Sequence, residues 1–156
     1  MRYLRRKADD FLTEWKSQQN RMPIFVKGAR QIGKTETIRK FASENYKNVI
    51  EINFVTEPKY KAIIDKGFSA EEIIKIITLI DPSKKFISGE TLIFFDEIQA
   101  FPEIATSLKF FYEDGRFDVI CSGLLLGIQY HHIASISVGY KLDYPMYSMD
   151  FEEFLW

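Results

Sequence analysis

The chain has 156 residues, 46% of them apolar, one cysteine and a formal net charge of −1 at pH 7. That length predicts a single domain with a core of ordinary size. The charge excludes bulk attraction to a polyanion, and a lone cysteine excludes an intrachain disulfide framework, which fits a reducing, cytoplasmic setting. The N-terminus, MRYLRRKADDFL, is basic and lacks the apolar stretch of a signal peptide, and no apolar run nears the ~20 residues of a membrane span.

Leu4, Ala8, Phe11, Leu12 and Trp15 recur at helical spacing and predict an amphipathic helix within residues 1–20, followed by the turn QQNRMP. Pro23 to Val26 reads as a short buried strand, with proline at its tolerated first position. A helix follows from Thr35 to Tyr46, with Ile38, Phe41 and Ala42 on one face, and then a strand from Asn48 to Val55. The next helix carries strong start signals. Ser69 can cap it, Glu72 occupies the capping-box position and Phe68 can staple onto Ile73, while Asp81-Pro82 ends it.

TLIFFDE, Thr91 to Glu97, is a continuous apolar run with an acidic end, as expected of a strand buried on both faces. A helix is predicted from about Pro102 to Asp114, with proline in its first turn and Gly115 just beyond its end. FDVICSG is another buried strand, and a last strand is placed within Tyr140 to Tyr147. Strands alternating with helices predict a parallel five-stranded sheet covered on both faces, a three-layer αβα sandwich. The closing DFEEFLW opens like a helix, with Asp150 as cap and Glu153 at the box position, yet spans less than two turns. Residues 150–156 are therefore expected to begin a further segment of a longer protein, with residues 21–149 as its core.

The segment Gly28-Ala29-Arg30-Gln31-Ile32-Gly33-Lys34-Thr35 matches G-x-x-x-x-G-K-[ST] between a strand and a helix. Its glycines allow a tight turn that gathers backbone N–H groups into a concave nest for phosphates. Gly33 also avoids a side chain where phosphate must approach. Lys34 is placed to reach the β- and γ-phosphates and Thr35 to offer its hydroxyl to Mg²⁺. The helix that follows, through Glu36, turns its positive end toward the anion.

Phosphate binding alone does not imply hydrolysis. Asp96 ends the apolar run at the strand tip, where open parallel sheets bind ligands, and can hold Mg²⁺ opposite Thr35. Glu97 follows as a candidate base for the attacking water. Gln99 either orients Glu97 or is a solvated loop residue. Ser122 ends DVICSG and either contacts the water or γ-phosphate or satisfies local backbone before Gly123. Several other residues have bland readings. Cys121 reads as a small core residue, and Tyr3, Trp15 and Tyr46 as core packing rather than adenine neighbours. The basic cluster Arg2, Arg5, Arg6 and Lys7, followed by Asp9, Asp10 and Glu14, reads as a solvated face, and His131-His132 as loop surface. Arg30 could touch phosphate, act across an interface or brace the loop.

Taken together, GARQIGKT, FFDEIQ, the sensor-like FDVICSG and the closing YPMYSMDFEEFLW resemble a bacterial and archaeal ATPase family of the AAA+ superfamily. The resemblance runs from Pro23 to Trp156. It implies an αβα core with strand order 5-1-4-3-2, ATP and Mg²⁺ as cofactors, and Lys34 and Thr35 as phosphate and metal contacts. It also implies Asp96 as metal partner, Glu97 as base and Ser122 as polar sensor. Family members continue into a C-terminal region, nuclease-like in some, so self-association, a protein partner, or nucleic acid bound through that region are the implied partners. The chain departs from the wider pattern in one respect: no arginine occurs after Arg116, and Lys141 is the sole lysine in that stretch. An arginine finger can contribute ~10³ to 10⁵ in rate. Slow hydrolysis is therefore expected, with two alternatives open: a nucleotide-dependent binding switch and a small-molecule kinase.

Overall fold

The computed structural model describes residues 6–29, 32–124, 141–147 and 155. The elements run α1 (Lys7–Ser17), β1 (Ile24–Gly28), α2 (Lys34–Asn45), β2 (Asn48–Asn53), α3 (Ala70–Ile80), β3 (Thr91–Asp96), α4 (Ser107–Asp114), β4 (Asp118–Leu124) and β5 (Leu142–Pro145). The five strands form one sheet in the order β2-β3-β4-β1-β5, and every neighbouring pair is parallel. This is the order expected from the resemblance, read from the other edge.

Alternation along the central strands builds the layers. Ile93 and Phe95 of β3, Phe25 of β1, and Val119 and Cys121 of β4 join the core under α3 and α4. Leu92, Phe94, Ile24, Val26 and Ile120 join the opposite core under α1 and α2. Every residue of β3 is buried, which explains why its sequence shows no polar alternation. Ala8, Leu12 and Trp15 seat α1 in the second core, and Phe11 stacks on Tyr144 of β5 with ring centroids 4.3 Å apart. Trp15 is therefore core, its indole N–H bonded to the Met22 carbonyl.

Two expectations need correction, and one element goes beyond them. The helix expected from Pro102 to Asp114 is split into a 3₁₀ segment, Pro102–Thr106, and α4. The buried Ser107 hydroxyl bonds the Ile104 carbonyl at this junction, closing the tighter turn. A second 3₁₀ segment, Pro58–Ile64, was not predicted. Tyr60 and Ile63, three apart, bury the same side of it, a spacing that matches three residues per turn. Finally, Lys7 is exposed as a solvated face requires, but Arg6 is only 7% exposed.

At the N-terminal edge of the strands, Asp118 Oδ2 accepts bonds from Arg21 Nη2 (2.9 Å) and from the Tyr46 hydroxyl (2.6 Å). Tyr46 thus lies at the edge remote from the phosphate-loop segment. Burial first, then the bond to Asp118, raises its phenol above the ordinary tyrosine value. A raised folded-state value means the native state holds its proton longer. The resulting stabilisation is fully present below the unfolded tyrosine value of ~10 and is lost as pH rises past it. Tyr46→Phe is expected to lower stability at neutral pH by about 1 kcal/mol and to flatten part of the alkaline decline, as read by urea unfolding at several pH values. An unchanged alkaline slope would contradict this assignment.

Candidate functional site

The carboxyl ends of β1, β3 and β4 converge on one edge of the sheet. β1 stops at Gly28. A Cβ there would stand 2.3 Å from the Met146 carbonyl oxygen and 2.6 Å from Ile32 Cδ1, so only glycine lets the chain leaving β5 pack against the loop root. Gly33 sits at φ +93°, in the left-handed region that glycine enters freely, and serves as N-cap of α2. A glycine cap brings no side-chain acceptor, so it does not occupy the first amides of the helix. Arg30 and Gln31 lie outside the described residues.

Lys34 folds back over this loop. Its ammonium donates to the carbonyls of Gly28 (3.0 Å) and Ala29 (2.6 Å) and is largely buried. Glu36, expected with the loop, instead points its carboxylate to solvent beside Arg39, with which it pairs at 3.6 Å. In the first turn of a helix that face points outward, leaving only the Glu36 backbone near the loop.

Asp96 is 3% exposed and is the hub of the edge. Thr35 Oγ1 donates to its Oδ2 at 3.1 Å, the Glu97 N–H donates to its Oδ1 at 2.9 Å, and the Ser122 hydroxyl also donates to Oδ1. Burial raises the Asp96 carboxyl above the ordinary value, against the opposing pull of the bonds from Ser122 and Thr35. Ser122 was expected to face the attacking water or the γ-phosphate, or else local backbone. Its hydroxyl is directed to Asp96 because the parallel register, which pairs Phe95 with Cys121, sets the next residues of β3 and β4 side by side.

Glu97 has φ 58° and ψ 46°, an uncommon conformation for a residue with a Cβ. Such conformations persist where surrounding structure holds them, and they concentrate at functional sites. Its carboxylate accepts a bond from Gln99 Nε2, while Gln99 Oε1 accepts the Leu124 N–H at 3.2 Å. Gln99 is thus not a solvated residue. It ties Glu97 to the end of β4. Gly123 makes room for it, since a Cβ there would lie 3.0 Å from Gln99 Oε1. Sequence reasoning missed this role of Gly123, whose only signal was a glycine at a strand end.

Asn53 is in register with Asp96 on the neighbouring strand, but its side chain caps its own turn, accepting the Val55 and Thr56 N–H groups. Cys121 is fully buried and its thiol is pushed up by desolvation, as befits a core residue. Lys141 is engaged by Asp143. Among the described residues no cluster of three His, Cys, Asp or Glu forms a metal site, and no helix is long and apolar enough to cross a membrane. Tyr3, Arg2, Arg5, His131 and His132 lie outside the described residues.

The chemistry of the edge fits a magnesium nucleotide. A hydroxyl and a carboxylate already in contact are hard oxygen donors, and Mg²⁺ is commonly held by one or two such groups with phosphates and water completing the shell. A glycine-capped helix and an ammonium beside it suit the phosphates.

No functionally curated protein is significantly similar to the chain. Its fold is shared by many solved structures, for example the following two. One is PCH-2 of C. elegans, at TM-score 0.52 and 11% identity over 89% of this chain and 41% of that one. The other is Aeropyrum pernix ORC1 in complex with DNA, at TM-score 0.53 and 15% identity over 94% of this chain and 47% of that one. The chain thus spans less than half the length of either. The model of the AAA domain family matches residues 20–155. With its parallel sheet, its glycine-bounded loop and its acidic strand tip, the chain belongs to the AAA domain family of the AAA+ superfamily, and its core is that of a P-loop NTPase.

Proposed function

We propose that this chain binds ATP with Mg²⁺ and hydrolyses it slowly, driving or timing a change in an attached segment or a protein partner. The observation that carries this reading is the 3.1 Å bond between Thr35 and Asp96, which closes the helix following the phosphate loop onto the acidic strand tip across 61 residues of sequence. The core is taken as residues 21–149, with the helix Lys7–Ser17 packed on it. The formal net charge of −1 offers no general attraction to nucleic acid, so a protein partner or a further copy of the chain is favoured.

Backbone amides of residues 28–36 would surround the phosphates, with Arg30 and Gln31 within that loop. Lys34 would exchange its bonds to the Gly28 and Ala29 carbonyls for phosphate oxygens, a replacement of neutral acceptors by charged ones. Thr35 and Asp96 would hold the metal, and Ser122 would fix the Asp96 carboxylate from behind. Bound Mg²⁺ neutralises phosphate charge. Glu97 would accept the proton of the attacking water. ATP is preferred over GTP from the family resemblance.

One observation favours a second reading, a nucleotide-dependent switch with negligible turnover. The Glu97 carboxylate already accepts a bond from Gln99 Nε2. Single-turnover hydrolysis distinguishes the two. Glu97→Gln is expected to slow the chemical step about 10²-fold or more while leaving nucleotide affinity nearly unchanged. Equal rates for variant and wild type would remove Glu97 as base and favour the switch.

The binding claim has its own test. Lys34→Ala is expected to weaken Mg²⁺-ATP binding on the order of ten- to a hundred-fold, the effect of losing a bond between charged groups. Calorimetric titration measures it directly. A wild-type chain indifferent to millimolar Mg²⁺-ATP would refute the reading.

A further inference from the structure

Arg6 stands immediately before α1 and is almost fully buried, which is uncommon for a cation without a specific purpose. Two of its guanidinium bonds run to different parts of the chain. Nη1 donates to the carbonyl of Ile32, inside the phosphate loop, at 2.7 Å. Nη2 donates to the carbonyl of Tyr147, just past β5, also at 2.7 Å. Its backbone N–H is held by the Asp9 carboxylate at 2.7 Å, which fixes where the side chain starts.

We propose that Arg6 is a positioning residue of the phosphate loop, shaping it for nucleotide and joining it to the chain that leaves β5. This rests on the nucleotide-binding reading above. The first reason is peptide geometry. In a planar trans peptide the Ile32 carbonyl and the Gly33 N–H point in opposite directions. A guanidinium that grips this carbonyl turns the Gly33 N–H away from itself. Nη1 also stands 3.0 Å from where a Gly33 Cβ would be, so a side chain at position 33 would crowd the grip.

The second reason is the other arm. Met146 donates its N–H to the Lys27 carbonyl at 2.7 Å, and its own carbonyl oxygen occupies the space a Gly28 Cβ would need. The Met146–Tyr147 segment therefore touches the start of the loop directly and its end through Arg6. A loop anchored at both ends loses less conformational freedom when it closes on a ligand. Arginine suits the task because its rigid fork presents separate N–H donors to two acceptors, which a lysine ammonium on a flexible stem does less well. The bonds to Ile32 and Tyr147 both go to carbonyls, so they shape the loop and do not themselves touch phosphate.

The test compares Mg²⁺-ADP dissociation constants and thermal midpoints for wild type, Arg6→Ala, Arg6→Lys and Ile77→Val. Ile77 is buried under the opposite face of the sheet, so its variant reports general destabilisation alone. Arg6→Ala is expected to raise the dissociation constant about ten-fold or more, Arg6→Lys to fall between it and wild type, and Ile77→Val to leave affinity within about two-fold. Should Arg6→Ala fail to fold, the lysine variant carries the comparison. Wild-type binding with Arg6 variants no weaker than Ile77→Val overturns the inference while leaving the nucleotide reading intact. A wild type that binds no nucleotide overturns both.

Discussion

A buried carboxylate governs this molecule's working edge. Asp96 ends a strand covered on both faces, and burying such a group without partners would cost several kcal/mol. Three donors meet it: Thr35 from α2, Ser122 from β4 and the backbone of Glu97. Each adds a polar tie to an element already placed by apolar packing or by the sheet ladder. The bond to Thr35 sets the helix that follows the phosphate loop, the bond to Ser122 locks the register of β4 against β3, and the bond from Glu97 sets the turn beyond the strand. The edge is thus organised around the demand of one carboxylate for hydrogen bonds.

A second layer surrounds that hub. Gln99 receives the Leu124 N–H and donates to Glu97, so the acidic turn and the end of β4 move as one unit. Lys34 and Arg6 both hold the loop through backbone carbonyls, Lys34 at Gly28 and Ala29 and Arg6 at Ile32.

The apolar layers supply the frame that makes such polar geometry affordable. Side chains of β1, β3 and β4 alternate between two cores, each capped by a pair of helices. Core side chains of leucine, isoleucine or phenylalanine size contribute roughly 1.5–3 kcal/mol each on burial, which offsets the ordering of the loop and strand tips. At the far edge the Tyr46–Asp118–Arg21 group fastens the opposite ends of the same strands.

The sequence alone determined the layered fold and, through the family resemblance, the strand order, and it marked Gly33, Lys34, Thr35, Asp96 and Glu97 as candidates, because these readings depend on local spacing and on one residue following another. It did not show that Ser122 would serve Asp96, that Gln99 would bridge to Leu124, or that Gly123 would clear the space, since each depends on the register between strands 26 residues apart in the chain. It misread Arg6, whose charged neighbours along the helix suggest solvent. Burial of that cation depends on two carbonyls, at Ile32 and Tyr147, contributed from distant parts of the chain. Backbone carbonyls carry no signature in a sequence, because every residue has one. Only the folded arrangement decides which of them an arginine meets.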